Sequence, residues 1–99
     1  MNLREALDEQ LGDLDEVEQA EAGGGVEWRR GGRPFAALAD DAAEFRLDPL
    51  VATAALRTPD TAASKRGADW VRFSPPVVDG HAVDRAQAWL ASAWRRAGS

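Results

Sequence analysis

Six basic residues mark the chemistry this chain could offer. Arg29, Arg30 and Arg33 surround the Gly31-Gly32 dipeptide, and Lys65, Arg66 and Arg72 follow further along. A guanidinium carries five donors in a fixed fork that matches phosphate oxygens. Three of them at a hairpin tip could contact a nucleic-acid backbone, with Lys65, Arg66 and Arg72 extending the patch. The region is not purely basic, however. Residues 23–66 hold seven bases and six acids, and charges on a hairpin also keep its edges from pairing with other chains. The second feature is the set of four tryptophans. Trp70, Trp89 and Trp94 fall in periodic segments and read first as core filling. Trp70 and Trp89 are also the candidate lining of a small-ligand pocket. Trp28 alternates with Val26 and is expected to be half-buried.

Enzyme signatures are missing. There is no cysteine, so no disulfide, thiolate metal site or thiol nucleophile. His81 is the single histidine and cannot form a histidine cluster for a metal. Gly23-Gly24-Gly25 precedes Val26-Glu27 rather than a Lys-Ser or Lys-Thr pair, so it is no phosphate-binding loop. Ser64, Ser74 and Ser92 lack a nucleophile-elbow motif around them. We therefore expect no catalytic residues, no metal and no cofactor.

The elements that must position these residues follow from periodicity. Leu3, Leu7, Leu11, Leu14 and Val17 form one stripe of a helix expected over residues 3 to about 21, stopped by Gly23-Gly24-Gly25. Val26–Arg30 alternates as a strand. Gly31-Gly32 suits a two-residue hairpin turn that needs positive φ. Arg33–Ala39 is a second strand and Ala43–Leu47 a third, after an Asp40-Asp41 turn. Asp48-Pro49 is an N-cap followed by a proline at the first helical position, opening a short helix over Leu50–Arg57. Residues 58–69 read as an irregular polar loop. Trp70–Phe73 is a fourth strand, and residues 81–97 form the last helix. The order is α-β-β-β-α-β-α: one α+β domain over residues 1–99. Its antiparallel sheet has about four strands, a three-strand meander plus one, with the helices packed on it.

The net charge is −5, unevenly spread. Residues 1–22 hold one base and eight acids, a net of −7, whereas residues 23–99 carry +2. Such an acidic chain is poorly suited to strong non-specific nucleic-acid binding, but a local basic patch remains open to it. The N-terminus lacks a basic stretch followed by an apolar one, so no signal peptide is expected. No apolar run reaches the roughly 18 residues of a membrane span, and we expect a cytoplasmic protein. Arginine far outnumbers lysine, and alanine and glycine are abundant, a pattern that points to a GC-rich, bacterial source.

From Gly32 onward the pattern resembles the MmcQ/YjbR-like proteins. The matching features are Gly32, Pro34, Phe35 and Ala36 in one strand, Phe45-Arg46-Leu47-Asp48 ending the next, the Trp70-Val71 strand, and Ala93-Trp94-Arg95 near the end of the last helix. They cover about two thirds of the chain. Upstream, where the family carries a Leu-Pro-Gly-like segment, this chain has Gly12-Asp13-Leu14 and Gly23–Val26 instead. The resemblance implies an α+β fold grouped with frataxin-like and secretion-chaperone-like folds, and a double-wing DNA-binding role. We accordingly expect a non-catalytic module, monomeric or a weak dimer, that meets DNA through its arginine-tipped hairpin. The alternative is a protein-interaction adaptor using the sheet face or the acidic N-terminal helix.

Overall fold

The computed structural model describes residues 1–99, the side chain of Ala22 apart. Helix α1 (Leu3–Leu11) leads into strand β1 (Glu18–Ala22), then β2 (Gly25–Arg30), β3 (Arg33–Ala39) and β4 (Ala42–Arg46). Helix α2 (Pro49–Ala55), β5 (Thr61–Ala63), β6 (Trp70–Phe73) and α3 (Gly80–Ala97) complete the chain. All strand pairs are antiparallel, in the order β1-β2-β3-β4-β6-β5. The sheet therefore has six strands, not about four, and the element order is α-β-β-β-β-α-β-β-α.

Three expectations are corrected. The first helix ends at Leu11, and residues 18–22 are a strand rather than its continuation. Gly12 caps the helix, and the left-handed backbone of Glu16 (φ 58°) turns the chain back. Leu14 and Val17 still bury against the core from this connection, which explains why the stripe reads as unbroken. The glycine run is a hairpin turn, not a helix stop. Gly23 (φ 56°) and Gly24 (φ 84°) supply the two positive φ values of a primed turn, and β1 pairs with β2 across it. The segment read as an irregular loop holds the three-residue edge strand β5.

All three helices are capped, and the Asp48-Pro49 start of α2 is the one expected. The Asn2 side chain and the Glu5 carboxylate make a reciprocal capping box at α1. Asp48 caps α2 with Pro49 following it, and Asp79 accepts from the Ala82 amide at the start of α3. Arg95 and Arg96 in the last turn of α3 suit the negative end of the helix dipole.

The core lies between one face of the sheet and the helices α1 and α3. Leu7, Phe45, Val71, Phe73 and Leu90 are fully buried in a single cluster. Trp89 of α3 packs edge-on to Phe73 at 5.1 Å between ring centres, and tilted to Phe45 at 6.1 Å. The register shift between Trp28 and Arg29 gives β3 one extra residue, and both Phe35 and Ala36 join the cluster. Trp28, expected to be half-buried, is the largest fully buried side chain, while Trp89 and Trp94 are only partly buried. Among the described residues no helix is long and apolar enough to cross a membrane.

Candidate binding surface on the outer sheet face

Side chains alternate across a strand. With Trp28, Phe45, Val71 and Phe73 turned to the core, Glu27, Glu44, Trp70 and Arg72 face the other way. Register then aligns them: Glu27 is opposite Ala37, Ala37 opposite Glu44, and Glu44 opposite Arg72. This outer face has no helix over it. The loop from Ser64 to Asp69 folds across it instead.

Arg66 is the centre of that loop's contacts. Its Nη1 lies 3.0 Å from Glu27 and its Nε 3.0 Å from Glu44, so one guanidinium bridges two carboxylates on non-adjacent strands. The guanidinium also stacks 5.3 Å from the Trp70 ring centre. Ser64 holds the base of the loop, donating from its hydroxyl to Glu44 and accepting from the Arg66 amide at 3.1 Å. Arg29 closes the network, with Nη2 2.5 Å from the second Glu27 oxygen. Glu27 is only 7% exposed, yet it remains ionised. Burial pushes its carboxyl up, but the hydrogen bonds and charges of Arg29 and Arg66 more than reverse this and hold it below the ordinary glutamate range. Asp69, at the loop's end, follows the same pattern. Burial raises it; bonds from Arg96, its own backbone and Arg46 lower it by more.

The six basic residues singled out in the sequence do not form one patch. Arg29, Lys65, Arg66 and Arg72 gather on the outer face. Arg30 points to the opposite side: its guanidinium stacks 3.8 Å from the Trp94 ring centre, donates 3.0 Å to the Trp94 carbonyl and pairs with Glu16. Arg33 donates to the Ser99 carbonyl oxygen at 3.2 Å. Arg30 is thus turned toward the end of α3, while Arg33 stays exposed beside the Gly31-Gly32 turn (φ 58° and 77°) with its guanidinium on the Ser99 carbonyl. Lys65 and Arg72 stand exposed, and among the described residues neither enters an ion pair. They share a shallow depression of about 680 Å³ with Ala63, Arg66 and Glu44.

Arg46 belongs to this surface and was not singled out. It is opposite Trp70 and pairs with Asp69 at 3.2 Å. The alternation of Glu44 and Arg46 with Ala43 and Phe45 carries the signal that would have found it. Trp70 and Trp89 lie on opposite faces of the sheet and line no common pocket. Trp70 is under Arg66, and Trp89 is against Phe73. Among the described residues, no three His, Cys, Asp or Glu side chains converge as a metal site.

No family model matches the chain, and neither does any curated protein. A crystal structure of a protein from Pseudomonas syringae, a structural-genomics target, superposes on it with a TM-score of 0.73. The two are 10% identical, and the match covers 98% of this chain and 99% of that one. At that identity the likeness establishes a shared fold.

Proposed function

We propose that this chain is a small non-catalytic binding module of the MmcQ/YjbR type, and that it meets the phosphate backbone of DNA with its outer sheet face. One observation carries this reading: Lys65 and Arg72 are exposed and unengaged in the same depression. Arg29, Arg46 and Arg66 stand nearby, so the face holds five bases against Glu27, Glu44 and Asp69. It is a net-positive surface on a chain of net charge −5. Arg29 and Arg66 are committed to Glu27 and Glu44, so the phosphate contacts fall first to Lys65 and Arg72. Such contacts release counterions and make affinity fall steeply with salt.

The test is a salt series with a mixed-sequence duplex, comparing the wild type, Lys65→Ala/Arg72→Ala and Arg33→Ala. Each lost phosphate contact lowers the slope of log affinity against log salt by about 0.9. The double variant should therefore flatten it by roughly 2, while Arg33→Ala leaves it unchanged. Absence of binding at low salt, or an equal effect of Arg33→Ala, removes the proposal.

A protein-adaptor reading has one observation in its favour. Strand β1 is an edge strand, with one row of backbone donors and acceptors open to an added strand. The acidic helix is no longer its basis, because α1 carries only Glu5, Asp8 and Glu9. The remaining acids of that region lie on the connection and on β1 itself. Glu18 and Glu21 on this edge disfavour strand addition by anything but a basic segment.

A further inference from the structure

The β1–β2 and β3–β4 turns lie at the end of the sheet away from Gly31-Gly32, and an open groove runs beneath the start of α1 there. It has two halves of about 660 and 500 Å³ that share Arg4, Leu38 and Asp40. Its floor is apolar and packed: Leu3 and Leu38 are buried, and Val26 and Val78 half-buried against the core. Its rim is acidic. Glu21, Asp40 and Asp41 line it, and among the described residues none of them enters an ion pair. The one base in the lining, Arg4, is already engaged. Its Nε is 3.1 Å from Asp8, and its guanidinium stacks over Trp28 at 5.7 Å. Beside the lining residues Asn2 and Pro76, two large apolar side chains are left in water: Met1 is 62% and Val77 69% exposed.

We infer that this groove binds an extended, basic peptide segment of a partner protein, with apolar side chains on the Leu3–Leu38 floor and a lysine or arginine held by Asp40 and Asp41. The charge of the rim selects the occupant. An acidic segment or an anionic lipid surface meets like charge at Glu21, Asp40 and Asp41, and like-charge juxtaposition is strongly disfavoured. The apolar floor adds a second requirement that a bare polyamine lacks. Each half of the groove falls within the range of volumes that hold a ligand several side chains in size. Two halves in a row suit an extended chain rather than a single compact molecule. The site lies at the far end of the sheet from the β2–β3 turn and uses none of the residues proposed for DNA contact, so it stands independently of that reading.

The full chain, labelled with ¹⁵N, is titrated with an acetylated, amidated Leu-Arg-Leu-Arg-Leu peptide, its Leu-Glu-Leu-Glu-Leu counterpart and spermine. The basic peptide should shift the amides of Leu38, Asp41 and Val78 and bind more tightly than either control. Asp40→Asn/Asp41→Asn should weaken it about fivefold, the scale of two exposed ion pairs. Asparagine tolerates the left-handed backbone of residue 40 (φ 54°), and the amide spectrum of the variant verifies that it folds. The DNA salt slope of this variant should match the wild type. Four results overturn the inference: the acidic peptide or spermine binding as tightly, the shifts mapping to Glu27 and Glu44, the variant binding unchanged, or no binding at millimolar peptide. Sedimentation of the unliganded chain addresses the remaining occupant. A dimer abolished by Asp40→Asn/Asp41→Asn would assign the groove to a second copy instead, and a monomer is expected.

Discussion

Glu27 shows how a carboxylate survives with almost no water around it. Two guanidiniums reach it from different directions, Arg29 from its own strand and Arg66 from the overlying loop. Removing either leaves the other in place, so the arrangement tolerates loss of one partner better than a lone buried pair does. Its pH dependence has a definite sign. The carboxyls of Glu27 and Asp69 both ionise below their ordinary range in the folded state. The stability they contribute is complete above the unfolded carboxylate values of about 4 and is lost as pH falls through the lower folded values. We predict that Glu27→Gln/Asp69→Asn is less stable than the wild type at neutral pH, and that its urea midpoint changes less between pH 6 and pH 3. Parallel curves for the two proteins would show that the pairs do not couple to folding. Much of this network could not be seen in the chain order. Arg29 is two residues from Glu27, a relation that strand alternation exposes. Arg66 is 39 positions away from it, and its approach depends on the β4–β6 pairing.

At the level of elements, the hairpins show which signals a sequence carries. The strands β2, β3, β4 and β6 and the helices α2 and α3 stand close to where the sequence pattern and the Asp48-Pro49 cap place them. Strand β1 is hidden for a physical reason. Leu14 and Val17 keep the helical stripe going because they pack on the core from a non-helical connection. A glycine run ends a helix and turns a hairpin equally well, since both need positive φ. Strand β5, three residues of Thr-Ala-Ala, has no periodicity to read. The β1–β2 turn makes a direct prediction. A Cβ on Gly24 would meet nothing within 4 Å, so the whole penalty of Gly24→Ala comes from its φ of 84°. Chemical denaturation should show a loss of about 1–2 kcal/mol, with Gly24→Asn recovering part of it. If Gly24→Ala were neutral, the turn would have to adopt another form.

On the scale of the whole molecule, the two ends of the chain close on each other. Helix α1 packs against α3, and Gln87 of α3 donates to the Ala6 carbonyl at 3.0 Å. Arg30 reaches back from β2 to Trp94, and Arg33 reaches back from β3 to Ser99. Arg30 is the stronger of the two links, because it combines a stacked ring, a carbonyl and Glu16 with a side chain only 18% exposed. We predict that Arg30→Ala costs about 1–2 kcal/mol by urea unfolding, whereas Arg33→Ala stays within about 0.5 kcal/mol of the wild type. Equal losses at the two sites would mean that the stacking on Trp94 contributes little.

Helix α3 follows every strand in chain order, and this has a consequence for how the fold assembles. Chains emerge N-terminal end first and fold as they are made. The strands of the meander, five to seven residues long, are complete by residue 46, but the helix that covers Phe45 and Phe73 begins only at residue 80. Until then only α1 and α2 supply helical cover to the apolar side of the sheet, and Arg30 has no ring to rest on. Phe45 and Phe73 stay open on their helix-facing side for as long as α3 is away. Closure of the core therefore waits on the eighteen residues of α3.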